Sequence, residues 1–237
     1  MQKILNSQQI AAFYHDAFVQ RQVEHFKILA LTYCHSDRAI VDIGGGCGYF
    51  AHAIKRDFNL ITRVVDMDPV SVKAAQELGI EAQVGDAINP IKRADEGVIC
   101  FNLILHHLVS DSESKTRNLQ ITALSCWRET GAKIFVNEYI YESWIRSLSG
   151  WLIYQITKNK FLSATGRIIA KFLPSLNANT FGTGVRFRSN SEWKSLFDEA
   201  GFWVKKEAIG KKEYISIPRR ILFIKQIRRD SFLLYPK

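Results

Sequence analysis

Cysteine and methionine are scarce in this chain of 237 residues: there are two methionines and four cysteines, Cys34, Cys47, Cys100 and Cys126, with no Cys-x-x-Cys pair among them. That spacing gives neither a zinc site nor a disulfide framework, so the cysteines read as reduced thiols and no metal is expected. No apolar run approaches the ~20 residues that cross a bilayer, and Met1-Gln2-Lys3 is not followed by a signal-type apolar core. A cytoplasmic location is the corresponding expectation. Internal repeats and low-complexity segments are also lacking. With 47% hydrophobic and 23% charged residues, the composition is that of a globular protein. The length suits one α/β domain over residues 1–237, with room for an appended cap.

Acidic residues are sparse in one part only. Residues 1–138 carry 14 Lys/Arg against 16 Asp/Glu, whereas residues 139–237 carry 18 against 7, a net charge of +11. An excess of this kind marks a nucleic-acid, anionic-lipid or acidic-substrate surface, or else a solvated face without function.

The densest signal is Ala39-Ile40-Val41-Asp42-Ile43-Gly44-Gly45-Gly46-Cys47-Gly48-Tyr49-Phe50. The apolar run suits a buried parallel strand, the glycines permit positive φ and close approach of a ligand, and helical spacing follows. The run lacks the Gly-Lys-Ser/Thr of a phosphate-gripping loop, having Gly48-Tyr49-Phe50 instead. A dinucleotide fingerprint placed on Gly46, Gly48 and Ala51 would begin several residues beyond the strand. What fits without adjustment is Asp42-x-Gly44-x-Gly46-x-Gly48.

In this motif the chain resembles the class I S-adenosylmethionine-dependent methyltransferases, whose first motif is Asp/Glu-x-Gly-x-Gly-x-Gly. The cofactor has no phosphate and so needs no lysine, and an acid near the turn can face its cationic amino-acid end. The later motifs follow in family order. Leu60-Ile61-Thr62-Arg63-Val64-Val65-Asp66 reads as a second strand ending in an acid about twenty residues past the glycines, where a carboxylate accepts ribose hydroxyls. The resemblance implies that role for Asp66, with Met67 against adenine, while Asp68-Pro69 reads as a helix N-cap with proline at the first position. A third strand over 80–84 runs into Gly85-Asp86-Ala87, where the family places an acid on the adenine amino group; Asp86 and Ala87 are the matching residues.

A fourth strand with its exit, 97–105, leads to His106-His107-Leu108. The exit reads Asn102-Leu103-Ile104-Leu105, not the Asn/Asp-Pro-Pro-Tyr/Phe with which nucleobase amino-methylating members grip an amine. The segment is similar instead to small-molecule O-methyltransferases, in which a histidine shortly after this strand takes the hydroxyl proton. His106 matches that position. A neutral hydroxyl is a poor nucleophile toward the sulfonium methyl, and imidazole is the side chain suited to accept its proton near neutral pH. The competing reading is that the Leu-His-His-Leu histidines pack; the Asp-Trp that follows the base in the closest such enzymes is His107-Leu108 here.

A fifth strand over 132–138 ends at Glu138, which either faces the cleft or caps the next helix. Helical spacing over 7–33 predicts an N-terminal flap, residues 1–36, in which Tyr14 is either a cofactor contact or a core tyrosine. Residues 143–176 form an inserted helical segment, aromatic and basic over 143–173, in the place where relatives carry a substrate lid. Its apolar face is expected to turn inward over the substrate with its lysines solvated; a helix lying on a membrane is the lesser option. Arg186 and Arg188 border it, as anion contacts or as surface charge. A helix over 192–200 and strands over 202–209 and 220–227 complete the sequence.

The expected fold is a doubly wound, Rossmann-like, seven-stranded and mostly parallel sheet in the order 3-2-1-4-5-7-6, with the last-but-one strand antiparallel. The expected activity is methyl transfer from S-adenosyl-L-methionine to a hydroxyl of a small aromatic or apolar metabolite. Carbon or nitrogen methylation of a small molecule or lipid-like quinone is the alternative. RNA is a weaker one, since no RNA-binding module is recognisable.

Overall fold

The computed structural model describes residues 16–172 and 182–237. Its centre is one seven-stranded sheet in the order β3-β2-β1-β4-β5-β7-β6. The strands are β1 (Ala39–Ile43), β2 (Thr62–Asp66), β3 (Glu81–Val84), β4 (Glu96–Asn102), β5 (Lys133–Ser143), β6 (Phe202–Ala208) and β7 (Ile224–Pro236). Neighbours from β3 to β5 pair in parallel, and β7 runs antiparallel to both β5 and β6. The order and the single reversed strand agree with the sequence expectation.

Alternation along the central strands builds two cores. Ile40, Val98, Cys100 and Phe135 face α1 (Asp16–Leu29) and α2 (Tyr49–Phe58). Val41, Ile43, Ile99, Phe101, Ile134 and Val136 face α4 (Glu113–Ser125) and α7 (Asn190–Glu199). Helix α3 (Pro69–Glu77) covers β2 and β3 through Val72 and Ala75. Strands buried on both faces are largely apolar, and in β1 all five residues are buried, four of them apolar and the fifth the acid Asp42.

Two strand boundaries differ from the sequence reading. Strand β5 does not stop at Glu138 but continues to Ser143, pairing beyond Asn137 with β7 on one side and making a single bridge from Ile140 to Arg188 on the other. Strand β7 does not end near residue 227; it starts at Ile224 and runs to Pro236. The strand runs on through charged residues because Arg228 Nε lies 2.9 Å from Asp230 Oδ1 in a buried pair, so the two charges neutralise each other inside the sheet.

The inserted segment forms α5 (Leu148–Lys158) and α6 (Lys160–Phe172). Its burial departs in part from the expected inward apolar face, Leu148, Leu152 and Ile156 being half-buried. The fully or nearly fully buried residues are Ser149, Gly150, Tyr154, Thr157 and Ser163, whereas Trp151, Phe161, Leu162 and Ile168 are exposed. Small and hydroxylated residues are selected inside because the packing is tight and hydrogen-bonded: the Tyr154 hydroxyl donates to the Ser110 carbonyl at 2.7 Å, and Ser163 Oγ donates to the Ile156 carbonyl at 2.7 Å. A short helix, α8 (Ile217–Arg220), precedes β7. Among the described residues no helix is long and apolar enough to cross a membrane.

Candidate active site

The carboxyl ends of β1, β2 and β4 meet at the point where the strand order reverses, the position at which open α/β sheets bind ligands. The glycine turn lies there. Gly44, Gly46 and Gly48 all have positive φ, but for different reasons. A Cβ on Gly44 would sit 2.5 Å from Ile104, so this glycine lets the β1 and β4 exits pack together. A Cβ on Gly46 would meet nothing within 4 Å and would project into the open cleft. Gly46 is therefore the point at which a ligand can approach bare backbone.

Two acids, Asp42 and Asp66, lie at this turn, and a third, Asp86, lies past the end of β3. Asp42, 1% exposed, accepts from Asn102 Nδ2 at 2.9 Å; burial, partly offset by that hydrogen bond and reinforced by Asp66, pushes its carboxyl up to about 7. Asp66 accepts from the Gly46 N–H at 2.8 Å through Oδ2 and from the Asp68 N–H at 2.9 Å through Oδ1. Burial raises its carboxyl too, against the pull of those backbone donors. Each of its oxygens retains a lone pair for a hydroxyl donor. Asp86 lies beyond β3 and accepts from the Ile88 N–H at 3.0 Å, holding its own turn. Met67 is exposed at the cleft, and Ala87 is buried in the core beside Ile43 and Val65. Asp68 caps α3, accepting from the Val70 and Ser71 N–H groups. Tyr14 lies outside the described residues.

Across the switch point, β4 leaves the sheet through Leu103, whose φ of 56° is left-handed for a side chain that disfavours it. Its N–H donates to the Asn137 carbonyl at 2.8 Å, which pins the strained residue against β5. The chain then makes one 3₁₀ turn, Leu105–His107. Glu138, fully buried, closes that turn: Oε1 accepts from the Leu105 N–H at 2.7 Å, and Oε2 lies 2.7 Å from His106 Nδ1. Glu138 thus serves neither as the end of β5 nor as a cap of the following helix. It fixes the ring of His106 and selects the tautomer with Nδ1 protonated and Nε2 free to accept.

His106 is itself buried, 4% exposed, within a cluster of rings. Phe187 lies 4.9 Å from it, Tyr139 5.9 Å and His107 4.2 Å, and Tyr141 stacks on Phe187 at 4.2 Å. Burial, together with the neighbouring His106, pushes His107 well below its ordinary range, so it is neutral at physiological pH. Burial raises the phenols of Tyr139 and Tyr141. The rings of this wall were missed in the sequence because β5 was ended one residue before Tyr139. Asn102 was read only as a departure from a motif, and no local signal announces its contact with Asp42.

Arg186 and Arg188 are neither surface charge nor free anion contacts. Both are buried, Arg186 Nε lying 2.7 Å from Glu113 Oε2 and Arg188 Nη1 2.8 Å from Glu113 Oε1. The Arg186 N–H also donates to the His106 carbonyl at 2.9 Å, so this pair braces the histidine turn.

No family model matches the sequence, and no curated protein does. Solved structures do resemble it. The crystal structure of MccD protein superimposes with a TM-score of 0.61 at 11% identity, covering 94% of this chain and 97% of that one. Geranyl diphosphate C-methyltransferase from Streptomyces coelicolor A3(2), solved with Mg2+, geranyl diphosphate and S-adenosyl-L-homocysteine, gives 0.56 at 11% identity, covering 97% and 81%. LepI, solved with S-adenosylhomocysteine and a substrate analogue, gives 0.53 at 15% identity over 85% of this chain, which spans only 43% of LepI. The strand order with its one reversed strand, the glycine turn at the β1 exit and these likenesses together give the chain the Rossmann-like fold of the class I S-adenosylmethionine-dependent methyltransferases.

Proposed function

We propose that the protein transfers the methyl group of S-adenosyl-L-methionine to a hydroxyl oxygen of a small aromatic or apolar acceptor. The observation that carries this reading is the Glu138–His106 pair, 2.7 Å apart and seated at the β4 exit, where Ile104 abuts Gly44. The cofactor, when bound, supplies an electrophilic methyl on a sulfonium. The chain's residues suit it: Gly46 leaves open backbone, Asp42 provides a buried acid for a cationic amino group, Asp66 provides acceptors for ribose hydroxyls, and Asp86 provides one for an adenine amine. His106 takes the acceptor's proton at Nε2 while Glu138 stabilises the resulting imidazolium at Nδ1. The rings of Tyr139, Tyr141 and Phe187 form an apolar wall that excludes water and orients the acceptor, so that much of the rate comes from alignment.

One observation favours a second reading, methylation at carbon. The same rings can face a developing cation, and the structural neighbour from Streptomyces coelicolor is a C-methyltransferase. Methyl-labelled cofactor offered with hydroxylated aromatics and with their O-blocked analogues tests the choice. His106→Ala is expected to lower turnover by ~10²–10⁴ with cofactor affinity unchanged. Unchanged turnover, or equal labelling of the O-blocked analogues, transfers the proposal to carbon.

A further inference from the structure

We propose that the face formed by α5, α6 and the segment around α8 docks on an anionic lipid surface. The inference does not depend on which atom is methylated. The observation is the exposed apolar bulk of this segment: α5 and α6 put Ser149, Gly150, Tyr154, Thr157 and Ser163 inside, keep Leu152, Ile153 and Ile156 half-buried, and leave Trp151, Phe161 and Ile168 outside, Phe161 being 79% exposed. A helix normally buries its apolar stripe, and large exposed apolar patches mark interaction surfaces.

Trp144, 69% exposed, lies where its N–H donates to the Phe223 carbonyl at 3.0 Å, which brings the α8–β7 junction, with exposed Ile217 and Ile221, beside the start of the insertion. Ile145, Arg146 and Trp151 line one open groove at the base of α5. The Ser163 Oγ also donates to the Thr157 carbonyl at 3.0 Å, folding the first turn of α6, with Phe161 and Leu162, back against the end of α5.

Charge identifies the occupant. From residue 143 to residue 191 the sequence contains no Asp or Glu, while Arg146, Lys160 and Lys171 are exposed among the apolar residues of α5, α6 and the turn before them; Lys158 is half-buried, its Nζ donating to the Asp111 carbonyl at 2.7 Å. Lys225 Nζ sits 5.4 Å over the Trp144 ring, adding a cation at the edge of the patch. Cations attracted to anionic headgroups, with Trp and Phe at the level of the headgroup boundary, are the composition of an interfacial helix. RNA would use the cations and the aromatic rings, but Ile145, Leu162, Ile168, Ile217 and Ile221 offer nothing on which a base stacks. An anionic bilayer uses both sets.

Sedimentation with vesicles tests this on the full chain. Vesicles of phosphatidylglycerol mixed with phosphatidylcholine should carry the protein down at low salt, and phosphatidylcholine alone should not. Phe161→Ser should weaken binding about tenfold. Lys160→Glu with Lys171→Glu should abolish it, since each lost cation is worth about fivefold and reversal adds repulsion. These side chains are exposed, so the circular dichroism spectrum and melting temperature should stay those of the parent; a shifted melt would send the comparison to Trp144→Ser, and unaltered binding by both aromatic variants would overturn the proposal. Equal retention by neutral vesicles, or no retention by either, also overturns it. So does a concentration-dependent dimer that Phe161→Ser dissociates in the absence of lipid, which would assign the face to a second copy of the chain. RNA binding without vesicle binding would assign it to nucleic acid.

Discussion

Asp42→Asn should make the free protein more stable at alkaline pH and less able to hold its cofactor. The parent carboxyl is 1% exposed, and burial outweighs its hydrogen bond from Asn102, so it titrates near 7, above the ordinary 3.8. A carboxyl raised in the folded state holds its proton there after the unfolded chain has lost it. Its contribution is therefore most favourable below the unfolded value and is lost as pH rises from about 4 to about 7. At 1.36 kcal/mol per unit, a rise of about three units withholds roughly 4 kcal/mol of stability above neutrality. The amide abolishes the titration but leaves an N–H without the partner a carboxylate does not need, at about 1–2 kcal/mol. The variant should thus be about 2–3 kcal/mol more stable than the parent near pH 8, and equal to it or slightly less stable near pH 4.5. Urea unfolding of both proteins across that range measures the difference directly. A gap that stays constant from about pH 4 to about pH 8 refutes the desolvation argument. The same substitution should weaken S-adenosylmethionine binding at least tenfold by calorimetry, because the buried acid is the group placed for the cationic amino end.

Gly46→Val should fold yet fail to bind cofactor, since its side chain would occupy open cleft at positive φ; normal titration calorimetry for a folded variant would remove the glycine turn from the cofactor site. Asp66→Ala should weaken the cofactor by about 1.5–3 kcal/mol, and Asp68→Ala, which removes only the α3 cap, should act mainly on thermal stability. A reversed ranking of the two dissociation constants would move the ribose role to Asp68. Glu138→Gln should reduce turnover about ten- to hundredfold while leaving the KM and the cofactor affinity nearly unchanged, because the imidazolium loses its counter-charge; a lower melting temperature with unchanged turnover would leave Glu138 a purely structural brace.

Much of the fold was legible because its rules are local and repetitive. A continuous apolar run ending in an acid and a glycine turn admits few structures, and β1 with Gly48 opening α2 is one of them. Asp68-Pro69 specifies a helix start by hydrogen bonds that close within three residues and is observed as read, while the helix expected from residue 192 begins at Asn190, capped by Ser189 with Glu192. The strand order followed from the succession of such units.

What the sequence could not decide is which distant groups meet. Glu138 lies 32 positions from His106, and only the register of β5 against β4, Asn137 opposite Asn102, brings its carboxylate to the imidazole. The extension of β5 and β7 brings Glu142 of one strand to Arg228 of the other, 86 positions away, with Oε1 3.3 Å from Nη2. The face of α5 and α6 was misread for the same reason: periodicity tells that a helix has an apolar side, but what that side meets is set by packing elsewhere. Here the tight, hydroxyl-bonded contacts of Tyr154 and Ser163 hold the small residues inward and leave Trp151 and Phe161 facing out.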